Sequence, residues 1–175
     1  MESQFSKLRL VAADAPLPID RKKAQAFASV DILASPDQVW ELIGGFGSLP
    51  DWLPYISQSE LSRGGRVRHL ANRKGETIVE RLEAFDNRAR SYTYSILKAS
   101  SPVTGYLSTL RVLETEGGKG SRVEWSARFT PKGVSNQEAS RIYQDIFEDG
   151  LKALAAGFAS KKKKKEKVRI VRSRC

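Results

Sequence analysis

Cysteine and histidine are almost missing from this chain. Among 175 residues there is one of each, Cys175 at the very end and His69. An internal disulfide is therefore excluded, as suits a reducing compartment. A zinc cluster, a Cys–His dyad or a haem attachment needs several such residues together, so no metal and no cofactor is expected. Without a second ligand, His69 reads as a structural or exposed residue. Prenylation is not expected at Cys175, since its signal needs three residues after the cysteine. Long apolar runs are missing too: none approaches the roughly 20 residues of a membrane span. Residues 1–7 lack the apolar core of a signal peptide, so the expected location is the cytoplasm. Any chemistry falls to carboxylates, arginines, tyrosines and hydroxyls.

Net charge is also scarce over most of the chain, although the total is +10. Residues 161–175 hold nine basic side chains and one acidic one, a balance of +8, while the other 160 residues hold 21 basic and 19 acidic ones, a balance of +2. The chain is a nearly neutral domain with a basic tail, not a basic fold. The tail, residues 160–175, reads as disordered. It suits nonspecific contact with an anionic membrane or with nucleic acid, or a merely solubilising role. No base-reading motif accompanies it. Residues 1–23, with Pro16 and Pro18 and no periodicity, read as an extended arm. That leaves 24–159 as one domain, long enough for one sizeable core.

Apolar residues alternate from Ala24 to Leu33, with Ala24, Ala26, Ala28, Val30 and Ile32 on one face of a strand. Ser35, Pro36 and Gln38 form a helix start of the capping-box kind. Gly44 to Gly47 end that helix, and a second short helix or turn follows, anchored by Trp52 and Leu53. Strands are then expected at Gln58–Leu61, Val67–Asn72, Thr77–Phe85, Ser91–Leu97, Gly105–Thr115 and Ser121–Pro131, separated by glycine- and Asp/Asn-containing turns. From Ser135 to Ala159 the period becomes helical, with Ile142, Ile146, Phe147, Leu151, Leu154, Ala155 and Phe158 on one stripe. The simplest packing is α+β: one curved antiparallel seven-stranded sheet around one long C-terminal helix, with two short helices after the first strand. Such a sheet and helix leave an elongated pocket between them, a usual kind of small-molecule site.

One residue breaks the pattern. In the strand from Thr77, the residues Ile78, Glu80, Leu82 and Ala84 share a face that is apolar apart from Glu80. A buried carboxylate costs several kcal/mol unless it is paired, protonated or beside water. Glu80 is then either half of a structural ion pair or an acid/base facing a cavity. Desolvation would raise its pKa and a nearby arginine would lower it, and sequence does not decide between them.

The order of elements and a set of phrases resemble the START-like superfamily (SRPBCC, polyketide cyclase/dehydrase-like, Bet v 1-like), whose fold is the helix grip. The phrases are Val39-Trp40, Trp52-Leu53-Pro54, Gly65 to Arg68, Glu80 to Asp86, Ser91 to Tyr94, Gly105 to Thr109 and Gly120 to Trp125. The resemblance covers about Ala26 to Phe158. The nearest pattern is similar to the lachrymatory-factor synthase branch, in which an arginine, a glutamate and a tyrosine face the pocket and isomerise a sulfenic acid. By position these fall on Arg68, Glu80 and Tyr106. The resemblance implies a cofactor-independent lyase, isomerase or cyclase that acts on a small, mostly apolar organic compound. Glu80 would transfer a proton while Arg68 and Tyr106 hold an oxygen. Plant abscisic-acid receptors keep a similar glutamate and tyrosine for binding alone, so a non-catalytic carrier or receptor is the alternative. Their longer gate loop is not reproduced between Asn72 and Glu76. The expected apolar walls are Phe46, Trp52, Tyr92, Tyr94, Phe147, Leu151 and Phe158; Trp40 and Trp125 read as core. The face of Arg68 is less clearly inward than that of Glu80, and Tyr106 suits plain core packing as well as a site.

Overall fold

A computed structural model describes residues 23–172, with side chains through Lys161. All of the expected N-terminal arm except Lys23 lies outside the described residues. The elements run β1 (Ala24–Ile32), α1 (Pro36–Ile43), α2 (Leu49–Trp52), β2 (Ile56–Ser62), β3 (Val67–Asn72), β4 (Thr77–Asp86), β5 (Ser91–Lys98), β6 (Val103–Glu114), β7 (Ser121–Pro131) and α3 (Asn136–Arg172). The seven strands form one curved antiparallel sheet in the order β1-β7-β6-β5-β4-β3-β2. The expected α+β helix-grip architecture is borne out. Among the described residues, no helix is long and apolar enough to cross a membrane.

The local signals explain the elements. In α1, the Ser35 hydroxyl accepts from the Gln38 backbone and the Gln38 side chain accepts from the Ser35 backbone, completing the capping box. In β1, Ala24, Ala26 and Ala28 are buried between exposed Gln25, Phe27 and Ser29. Their small side chains let α3 lie close along this strand. The helix also covers the free edge of β1: Gln144 accepts from the Phe27 N–H at 3.0 Å. Helix α1 packs on β6 and β7, and α2 bridges β2 and α3. Between them and the concave sheet face lies the core, with Ile43, Leu53, Leu110, Val123 and Phe129 almost fully buried.

Three expectations need correction. Strand β6 begins at Val103, not Gly105, because Gly105 (φ +59°) sits at a bulge that shifts the register between Thr104 and Leu107. A glycine read as a strand start is a kink inside the strand. A second bulge, between Leu82 and Ala84 of β4, turns Ala84 outward, so it leaves the inner face shared by Ile78, Glu80 and Leu82. Finally, α3 does not end near Ala159 but continues to Arg172. Lysine is a good helix former, and no glycine or proline follows Gly157 to stop the helix.

Candidate functional site

Antiparallel pairing puts Arg68 of β3 directly opposite Glu80 of β4. Residues directly opposite one another share a face, so both point into the concave side, with exposures of 1% and 6%. Arg68 Nε donates to Glu80 Oε2 at 2.6 Å, and Nη1 donates to the Phe46 carbonyl at 2.9 Å. The guanidinium carbon lies 4.2 Å from the Phe46 ring centre and 4.6 Å from that of Tyr94, with Tyr92 at 5.9 Å. The cation thus has aromatic rings beside it, is paired with Glu80 and is anchored to the turn after α1.

Burial pushes the Glu80 carboxyl above its ordinary range, and the Arg68 guanidinium pulls it only part of the way back. For Arg68, burial works against the charge, but the Glu80 carboxylate with Tyr92 and Tyr94 outweighs it, so the guanidinium stays charged. Among the described residues, hydrogen bonds to Glu80 reach Oε2 alone.

Glu80 opens onto a cavity of about 250 Å³, just below the roughly 300–1,000 Å³ usual for ligand pockets. Leu70, Ile78 and Ile96 line its sheet side, and Tyr143, Ile146 and Phe147 of α3 close the other. Tyr94, Tyr106 and Trp125 form one wall. The Trp125 indole N–H is shared between the Tyr94 hydroxyl and Ser108 Oγ, each at 3.1 Å. Ser108 in turn donates to the Ser126 carbonyl at 2.8 Å. Tyr106 packs 4.9 Å from Tyr143, ring centre to ring centre. Burial raises the phenols of Tyr55, Tyr94, Tyr106 and Tyr143, with the Glu80 charge adding to the effect in each. They remain protonated donors. At the rim, the Ser101 hydroxyl of the β5–β6 connection hydrogen-bonds the Tyr143 hydroxyl.

The structure brings Arg68, Glu80, Tyr106, Tyr94 and Phe147 together on this cavity. Five expected wall residues are not on it. Phe46 and Tyr92 pack against Arg68 from behind. Trp52 packs on Trp125 with ring centres 5.7 Å apart. Leu151 is buried one turn beyond Phe147, and Phe158 is half-buried further along, beside the Lys161 ammonium. The cavity faces only the first half of α3. The inward stripe is also rotated by one residue, to Ala139, Tyr143, Phe147, Leu151 and Leu154, leaving Ile142 37% exposed at the mouth. Tyr143 was readable as the helical neighbour four before Phe147. Trp125, expected as core, lines the cavity. Tyr55 and Ser101 sit in short connections and carry no sequence signal. His69 is exposed, with its ring nitrogen 2.9 Å from Ser62 Oγ. Among the described residues, no cluster of three or more metal-ligating side chains occurs.

A family model described as "Polyketide cyclase / dehydrase and lipid transport" matches residues 23–159. Among solved structures, an uncharacterised protein from Bacillus thuringiensis is 57% identical, with a TM-score of 0.76 over 78% of this chain and 99% of its own. The protein XoxI from Bacillus cereus is likewise 57% identical with a TM-score of 0.76, over 78% of this chain and 96% of its own. A Thermobifida fusca protein is 27% identical with a TM-score of 0.69, over 78% of this chain and 93% of its own. These matches are at the level of the family and fold, not of the lachrymatory-factor synthase branch.

Proposed function

Because the chain belongs to the polyketide cyclase/dehydrase and lipid transport family, we propose that its cavity binds a small, mostly apolar organic compound and that Glu80 moves a proton on it. The reaction would be an isomerisation, a cyclisation or a dehydration, each of which needs a proton removed at one atom and returned at another. The supporting observation is a buried carboxylate that opens onto the cavity with one oxygen free of hydrogen-bond partners among the described residues. Its raised pKa brings it closer to neutral pH, where a general base works best. Tyr106, which lines the same cavity, would hold a substrate oxygen. Arg68 would depart from the role the resemblance implies: two of its N–H groups are already engaged and the Phe46 and Tyr94 rings lie beside its guanidinium, so it would act as a positioning residue for Glu80.

A carrier or receptor is the second reading. It is favoured by the Arg68–Glu80 pair, which suits a structural role as well as a chemical one. One experiment separates the two. Native mass spectrometry of protein purified from its own source weighs the co-purifying compound, which is then incubated with protein in D2O. Catalysis predicts deuterium on a carbon of the compound with the wild type and none with Glu80→Gln, which still binds. A compound returned unexchanged by the wild type removes the proton-transfer role and leaves the carrier.

The basic segment after Ser160 has a separate proposed role, contact with a phosphate-rich surface, either lipid or nucleic acid. Its support is the balance of +8 on residues 161–175 against +2 on the remainder.

A further inference from the structure

We infer that the cavity selects a compound that is uncharged at the end reaching Glu80 and offers a hydroxyl or enol hydrogen there, rejecting carboxylates and ammonium groups. This rests on the reading of the cavity as a ligand site and adds the polarity of the ligand.

The charges come first. The charged residues lining the cavity are Arg68, Glu76 and Glu80. Glu76 is exposed at the rim and holds Asn72. Inside, the single cation among the described residues is Arg68, which pairs with Glu80 at 2.6 Å. Its Nη1 is held by the Phe46 carbonyl, and the Phe46 and Tyr94 rings lie beside it. An entering carboxylate would meet Glu80 with no unpaired cation to receive it, leaving a net negative charge in an apolar space. An ammonium group would be attracted to Glu80 but repelled by Arg68, and would lose its water in the same apolar space. Both charged classes are thus opposed by a pair that is already neutral.

The hydrogen bonds point the same way. Glu80 Oε1 is an acceptor on the cavity wall without a partner among the described residues. An ionised carboxyl takes donors only. A ligand hydroxyl or enol supplies one hydrogen and no charge. Tyr94 and Tyr106 line the same space, and a phenol there can turn its hydrogen to the ligand oxygen. The remaining walls set the body of the ligand: the rings of Tyr106, Trp125, Tyr143 and Phe147 and a volume of about 250 Å³ suit one or two flat rings.

The test uses four probes of one shape with the full-length protein at pH 7.5, by titration calorimetry or ligand-observed NMR: 2-naphthol, naphthalene, 2-naphthoate and 2-naphthylmethylammonium. Naphthol is expected to bind about tenfold more tightly than naphthalene, the factor of one charge-assisted hydrogen bond. Naphthoate and the ammonium probe are expected to bind more weakly than naphthol by at least about tenfold. In Glu80→Gln, the amide turns a donor toward the cavity and removes the charge. The naphthol advantage over naphthalene should disappear and naphthoate should gain affinity. Tightest binding of naphthoate or the ammonium probe to the wild type, or equal binding of naphthol and naphthalene, overturns the inference and leaves the cavity as a ligand site. Binding of none of the four overturns both.

Discussion

Replacing Arg68 with methionine leaves a carboxylate in the core with no cation beside it. Losing one partner of a buried pair costs about 3–5 kcal/mol, whereas replacing both with apolar residues of similar volume is often neutral or stabilising. Arg68→Met alone should therefore lower the denaturant midpoint strongly at pH 7.5, and Arg68→Met with Glu80→Leu should recover most or all of the loss. A double variant as unstable as the single one would show that the rings around Arg68 need the guanidinium itself. The sign of the pH dependence follows from burial. Glu80 is held above its ordinary value of 4.5, so the folded state binds its proton more tightly than the unfolded chain does. That contribution to stability is present below pH 4.5 and is lost as pH rises through the raised folded value. The deficit of Arg68→Met should accordingly shrink as the pH is lowered toward 4.5. For Glu80→Gln, stability relative to wild type should rise with pH over the same window; a constant difference would place the Glu80 pKa at its unfolded value. Glu80 itself was legible in the sequence, because one charged residue in an alternating apolar row has few explanations. Tyr106 and Phe147 were legible from the same alternation and from the helical period. Tyr55 and Ser101 were not, because their places on the cavity depend on contacts far apart in sequence.

At the scale of elements, α3 carries an internal control. A Cβ on Gly150 would lie 2.7 Å from Leu53 Cδ1 and 3.1 Å from Trp125 Cζ3, while one on Gly157 would meet nothing within 4 Å. Both glycines are helical, so alanine gains about 1 kcal/mol of helix propensity at each. At Gly157 that gain stands alone, and Gly157→Ala should raise the melting temperature. At Gly150 it is opposed by overpacking of about 1–3 kcal/mol. Leu53 and Trp125 also line the cavity. Gly150→Ala should therefore leave stability level or lower and weaken 2-naphthol binding, since both side chains are pushed toward the ligand. Unchanged affinity would mean that they relax away from the cavity instead. These positions also show where reading the sequence stops. Alternation located every strand, because a side-chain period of two survives on a curved sheet. It missed register shifts such as those at Gly105 and near Ala84, because each resets the count. The helical stripe was read one residue off because Tyr143, whose ring is buried and whose hydroxyl is bonded to Ser101, resembles a polar neighbour in a list of letters.

At the scale of the molecule, pocket and charge are segregated. Apart from residues 161–175 the balance is +2, and the backbone of α3 carries the five consecutive lysines at 161–165 onward as helix to Arg172. That segment carries five successive like charges, which favours contact with phosphate groups by charge. The pocket lies along the first half of the same helix, and the 57%-identical solved structures match 78% of this chain at 96–99% of their own length. The domain should therefore keep its melting temperature and its 2-naphthol affinity when residues 161–175 are removed. Retention of the full chain on duplex DNA or on phosphatidylserine vesicles should fall steeply with salt, with a slope near −0.9 per phosphate neutralised on DNA, and should vanish in the truncated chain. Binding to one of the two surfaces and not the other identifies the source of the phosphate. Salt-dependent binding that survives truncation would move the charge-driven contact onto the domain itself, where the exposed guanidinium groups of Arg111 and Arg122 are already paired with Glu124 and Asp31.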